Sequence, residues 1–147
     1  ESRILHTLRT NVLGPILCSR YAVLRMSPRY GGQGGNIVNV SSGAARLGSP
    51  NEYVDYAASK GALDTFTLGL SKELAGEGIR VNAVRPGLIF TEFHALSGDP
   101  GRVSKLESSI PMGRGGRPEE VAEAIIWLLS DKASYATGTF IDLCGGR

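Results

Sequence analysis

Asn36-Ile37-Val38-Asn39-Val40-Ser41-Ser42 is a β-branched run in which apolar and polar residues do not strictly alternate. That is the pattern of a strand covered on both faces, as in a parallel sheet. The cluster Gly31-Gly32-Gln33-Gly34-Gly35 breaks regular structure just before it. Farther upstream, Ile4, Leu5, Leu8, Val12, Leu13, Ile16, Leu17, Val23 and Met26 recur at helical spacing. They predict one long helix over residues 4–26, bent at Pro15 and stopped by Ser27-Pro28.

Downstream of the strand, a loop rich in Gly, Ser and Pro leads to residues 53–75, where Ala57, Leu63, Phe66, Leu70 and Leu74 keep helical spacing until Gly76 and Gly78. Residues 79–84 form the next short apolar strand, ended by Arg85-Pro86-Gly87 because proline cannot donate to a central ladder. Residues 88–117 are then a long excursion with one short helix about residues 102–109; loops of that length serve as lids or binding loops. Pro118 at a first helical position, with Glu119-Glu120 at the positive end of the dipole, opens a helix over residues 119–130. Residues 138–143 are the last strand.

Helices alternating with buried strands define an α/β class: a doubly wound, Rossmann-like parallel sheet with helices on both faces. Residues 1–147 read as a single domain. Only three strands are visible and the chain opens in mid-helix, whereas open doubly wound sheets hold five or more. The expected domain is therefore truncated at the N-terminus.

Composition narrows the function. The 147 residues are 41% hydrophobic, enough to bury a core. The 16 Lys and Arg are scattered among 14 Asp and Glu rather than gathered into a stripe, which argues against nucleic acid as a partner. Cys18 and Cys144 lack CxxC spacing, so neither a disulfide framework nor a metal site is expected. The longest apolar run, residues 124–129, falls far short of the ~20 residues of a membrane span. A cytoplasmic protein with no membrane partner follows as the expectation.

Chemistry gathers around Tyr56 and Lys60. Four residues apart on a helix, a phenol and an ammonium share one face, and an adjacent cation lowers a phenol's pKa from ~10 toward the range useful for proton transfer with an alcohol. Alone, the pair reads more readily as an ordinary solvated helix face. Ser42 ends the first strand at the carboxyl edge, where parallel sheets bind ligands, although a strand-terminal Ser-Ser also suits a plain turn. Asn11 lies inside the first helix, where an amide needs a partner. Pro86-Gly87 leaves the second strand at the same edge, with a glycine that permits close backbone approach. Asp64, Glu73 and His94 are weaker acid/base candidates, and Cys144 reads as a small buried residue.

In order and spacing these pieces resemble the short-chain dehydrogenase/reductase family: Asn11-Val12-x-Gly14, Asn39-Val40-Ser41-Ser42, Tyr56-x-x-x-Lys60, Val81-Asn82-Ala83-Val84-x-Pro86-Gly87-x-Ile89-x-Thr91, Arg117-Pro118-Glu119-Glu120-Val121-Ala122 and Thr137-Gly138…Gly145-Gly146. The resemblance covers the whole chain, as the carboxyl-terminal portion of such a domain. The family's glycine-rich Thr-Gly-x-x-x-Gly-x-Gly turn is not among these residues, and Gly31 to Gly35 precedes a strand, which makes it a connecting turn. At ~30 residues per βαβ unit, about 90 to 120 further residues are expected at the front. Ser42 stands 14 positions before Tyr56, one more than the commonest family spacing, so Ser41 remains the alternative to Ser42.

What the resemblance implies is an oxidoreductase moving a hydride between NAD or NADP and a small-molecule secondary alcohol or ketone. Tyr56 would be the acid/base. Lys60 would lower its pKa and bind the nicotinamide ribose, and Ser42 would hydrogen-bond the substrate oxygen. Asn11 would hold a water linking Lys60 to solvent. Pro86, Gly87, Ile89 and Thr91 would line the cofactor, and residues 92–117 would form a substrate lid. It also implies a homodimer or homotetramer, with Val23, Leu24, Phe66 and Leu70 as surplus apolar residues on the first two helices. The alternative is the same fold used for binding without turnover. Taken alone, residues 1–147 are expected to be inactive and to bind no dinucleotide; calorimetric titration with NAD and NADP checks this, and micromolar binding contradicts it.

Overall fold

The computed structural model describes residues 1–92 and 98–147. Its frame is a three-stranded parallel sheet in the order β1 (Gly35–Val40), β2 (Ile79–Pro86), β3 (Phe140–Leu143). In register, Gly35 faces Ile79 and Val40 faces Val84 across β1 and β2, while Ala83 faces Phe140 and Pro86 faces Leu143 across β2 and β3. The doubly wound α/β class read from the sequence is the class observed. Among the described residues β1 pairs with β2 alone, so its other edge is unpaired.

The central strand explains the layering. Ile79, Val81, Ala83 and Val84 are all fully buried, so both faces of β2 are covered. Successive side chains point to opposite faces. Ile79 and Val81 pack with Ile37, with Val23 and Met26 of α2 (Gly14–Met26), and with Leu70 and Leu74 of α4 (Val54–Leu74). Arg80 and Asn82 project to the other face. There the Arg80 guanidinium donates to the carbonyls of Leu128 and Ser130, orphan acceptors at the end of α6 (Pro118–Leu129), and to that of Ala136 farther on. A short α1 (Ser2–Leu8), α3 (Ala44–Leu47) and α5 (Arg102–Leu106) complete the helices used below.

One expectation needs correction. The first helix is not continuous: a π-turn, Arg9–Leu13, separates α1 from α2, with the Gly14 N–H donating back to the Arg9 carbonyl. Pro15 has no N–H for the Asn11 carbonyl and its ring would crowd that oxygen in an α-helix, so the widened turn lies one turn before the proline instead of bending at it. A second correction concerns the surplus apolar residues. Val23 and Leu70 pack against the core and Phe66 is half-buried. The exposed apolar row on this side is Ile4, Leu5, Leu8, Leu13, Ile16, Leu17 and Leu24. No helix among the described residues is long and apolar enough to cross a membrane.

One side chain, through two hydrogen bonds, holds the approach to the last strand. Asn82, 1% exposed, donates from Nδ2 to the Ala136 carbonyl at 2.9 Å, and its Oδ1 accepts from the Thr139 N–H at 3.0 Å. Asn82→Leu leaves both backbone groups buried and unpaired, at about 1–3 kcal/mol each. Urea unfolding is therefore expected to show a loss of about 2 kcal/mol or more, and a loss under about 0.5 kcal/mol would contradict the role given to this amide.

Candidate active site

The carboxyl ends of β1 and β2 open into a cleft of about 780 Å³, within the size range of small-molecule sites. Ser42, Tyr56, Lys60, Pro86, Gly87, Ile89 and Thr91 all line it. Asn11 does not. Leu47, Glu52, Arg102, Val121 and Cys144 also line it.

Local structure places the polar wall. After β1 the chain turns at once, and the Ser42 Oγ accepts from the Ala44 N–H at 3.1 Å as α3 begins. The hydroxyl of Ser42 also hydrogen-bonds the Tyr56 side chain. Ser41, by contrast, is buried and donates to the Lys60 carbonyl at 3.4 Å, so Ser42 is the serine that meets the phenol. Lys60 follows Tyr56 by one turn of α4. Its Nζ donates to the Val40 carbonyl at 2.9 Å and stands 5.7 Å from the centre of the Tyr56 ring.

The electrostatics differ from the sequence expectation. Burial raises the Tyr56 pKa above the usual value of about 10, and the Ser42 hydrogen bond offsets this in part. Burial also lowers the Lys60 pKa, with the Asp64 carboxylate acting against it. The ammonium donates to the Val40 carbonyl, and desolvation is the larger influence on the phenol. Tyr56 is thus a neutral phenol at neutral pH, the form that can give a proton.

The Asn11 side chain reaches across to α4. Its Nδ2 donates to the Ser59 Oγ at 3.0 Å, and Ser59, fully buried, donates to the Tyr56 carbonyl at 2.6 Å. The amide therefore ties the π-turn to the turn of α4 that carries Tyr56, through a serine the motifs did not single out. The weaker candidates lie elsewhere. Asp64 pairs with Arg85 at 2.8 Å, away from the cleft, and Glu73 is on the exposed side of α4. His94, and residues 93–97 of the expected lid, lie outside the described residues.

At the floor, Cys144 donates its thiol to the Arg85 carbonyl at 3.2 Å, and burial pushes its pKa up. It is an inert packing residue of the kind the sequence suggested. It also explains Gly87: a Cβ there would stand 2.9 Å from the Cys144 Cα, so any side chain would force β2 and β3 apart.

The chain is thus a parallel α/β fold with a hydroxyl, a phenol and an ammonium gathered in a cleft at the carboxyl edge of its strands. Comparison with known proteins gives the family. The family described as enoyl-(acyl carrier protein) reductase matches residues 1–147. An uncharacterized oxidoreductase, YgfF, of Escherichia coli (strain K12) is 68% identical over 145 residues, 99% of this chain and 59% of that protein. A glucose and ribitol dehydrogenase homolog of Oryza sativa subsp. japonica is 42% identical over 99% of this chain and 49% of its own. The 3-oxoacyl-[acyl-carrier-protein] reductase FabG of Thermotoga maritima is 48% identical over 76% of this chain and 45% of its own. The chain belongs to the short-chain dehydrogenase/reductase family. It spans about half the length of the curated relatives it matches.

Because burial outweighs the hydrogen bond at Tyr56, its phenol is expected to ionise above the ordinary tyrosine range. Tyrosinate absorbance of wild type minus that of Tyr56→Phe should show a phase with its midpoint above pH 10. A midpoint below about pH 9 would mean that a cation, not burial, governs the group.

Proposed function

We propose that the whole protein is an oxidoreductase that moves a hydride between NAD or NADP and a secondary alcohol or ketone, with Tyr56 as the acid/base. The observation that carries this reading is the hydrogen-bonded Ser42–Tyr56 pair beside Lys60, in one cleft at the strand ends. In the reductive direction the Tyr56 phenol gives its proton to the carbonyl oxygen; in oxidation the phenolate takes the hydroxyl proton back. Ser42 donates to the same oxygen, where negative charge develops in the transition state. Lys60 supplies positive charge that favours the phenolate once the proton has left. Asn11, through Ser59, keeps the Tyr56 turn in place.

A nicotinamide dinucleotide supplies the hydride acceptor or donor when bound. The residues fit such a group. Lys60 uses one of its three ammonium hydrogens on Val40 among the described residues, which leaves donors for ribose hydroxyls. Pro86, Gly87, Ile89 and Thr91 provide a largely apolar wall with one hydroxyl. Residues 92–117 act as the substrate lid. Their described part is anchored by Val103, packed with Leu88, Ile110 and Leu106. Arg114 makes a two-pronged bond to the Glu120 carboxylate, which holds Glu120 down to about 2.

The names of relatives, for glucose and ribitol and for a 3-oxoacyl group, denote an alcohol or a carbonyl and support this reading. The exposed apolar row along α1 and α2 supports a homodimer or homotetramer. Two unpaired cysteines suit a cytoplasmic setting. Binding without turnover is the lesser reading, because nothing structural requires a hydroxyl, a phenol and an ammonium together in the cleft.

In the full-length protein, Tyr56→Phe is expected to cut kcat by ~10²–10⁴ while leaving dinucleotide affinity nearly unchanged, since it removes the proton carrier and little else. Lys60→Ala should lower both. Steady-state kinetics with dinucleotide fluorescence titration read the two effects separately, and wild-type kcat in Tyr56→Phe would reject the assignment.

A further inference from the structure

Two charged side chains line the cleft and take no part in the proton transfer assigned above. Arg102, the first residue of α5, bonds through its guanidinium to the Glu52 carboxylate. It also lies over the Tyr53 ring, 5.5 Å from its centre. Both Arg102 and Glu52 line the cleft. Tyr53 caps the N-terminus of α4 three residues before Tyr56, which lines the same cleft. The Arg102 side chain is only 20% exposed, against 40% for Glu52.

The pair is held in place from both sides. Val103, next to Arg102, is 3% exposed inside its apolar cluster and fixes the start of α5. Before Glu52, Ser49 and Asn51 take φ values of 45° and 64°, the left-handed region that side chains other than glycine enter at a cost. The N–H groups of Glu52 and Tyr53 both donate to the Ser49 carbonyl. Backbone strain is thus tolerated where the chain presents Glu52 to the cleft.

We propose that Arg102 and Glu52 determine substrate specificity by hydrogen-bonding hydroxyl groups beside the reacting carbon, so that the substrate is a polyol or its keto form. This rests on the oxidoreductase reading above. The guanidinium offers donors only and the carboxylate acceptors only, and a hydroxyl both accepts and donates, so neighbouring hydroxyls satisfy the pair without separating it. A carboxylate substrate would have to displace Glu52 and leave two anions side by side. A hydrocarbon flank would strip water from both charges and return nothing. A site built on hydrogen bonds to a substrate rejects the analogue that lacks the partner group.

The test is a ratio. For the full-length protein, kcat/KM is measured for a pentitol and for cyclohexanol in wild type, Arg102→Leu, Glu52→Gln and Arg102→Lys. Wild type is expected to prefer the pentitol. The pentitol-to-cyclohexanol ratio is expected to fall about tenfold or more in Arg102→Leu and Glu52→Gln, through KM for the pentitol, with Arg102→Lys between them and wild type. An unchanged ratio, whether both substrates slow together or neither does, makes the pair a structural tie and overturns the inference. So does a wild-type preference for cyclohexanol. Those results leave the oxidoreductase reading standing as long as turnover needs Tyr56, whereas absence of Tyr56-dependent turnover on every alcohol and ketone overturns both.

Discussion

Two-sided burial of β2 is the constraint on which the structure depends. With Ile79, Val81, Ala83 and Val84 all removed from water, each face of the strand needs a cover and each edge a partner. Helices α2 and α4 therefore take one face, the end of α6 takes the other, and β1 and β3 take the edges. What cannot be covered in the same way is the carboxyl end, where three strands stop and loops diverge. The cleft lies there because the covering helices do not close it, and Gly87 against Cys144 sets how closely its floor can draw together.

The same burial shapes the chemistry. Desolvation favours the neutral form of both ionisable groups in the wall, which raises Tyr56 and lowers Lys60. Each shift favours the uncharged form, so the phenol holds its proton more firmly and the ammonium gives its own up more readily. One unit of pKa is about 1.4 kcal/mol, so modest changes in water content around the phenol alter its readiness to give up a proton by large factors. A lid that excludes water acts on this balance, and so does a ligand that brings charge near the phenol.

Much of the fold was legible because its signals are local. The non-alternating run at residues 36–42, the proline and paired acids at 118–120 and the glycines after α4 each state an element or its end. Tyr56 and Lys60 were legible from spacing on one helix, and Ser42 and the residues after β2 from motif order. The π-turn was not, because Pro15 announces a disturbed helix without saying which carbonyl yields. The Asn11–Ser59 contact and the Arg102–Glu52 pair join residues about 50 positions apart, and no periodicity carries that information. Val23 and Leu70 were misassigned to the surface because an apolar stripe wider than one face looks the same in sequence whether it meets a core or a partner.

The central claim is that Tyr56 and Ser42 act on one oxygen atom of the substrate. Its most direct measurement is a crystal structure of the full-length protein with dinucleotide and an unreactive alcohol bound. The account predicts the alcohol oxygen within about 3 Å of both the Tyr56 Oη and the Ser42 Oγ. An ordered alcohol whose oxygen reaches neither group, or is held by other side chains of the cleft, would contradict it.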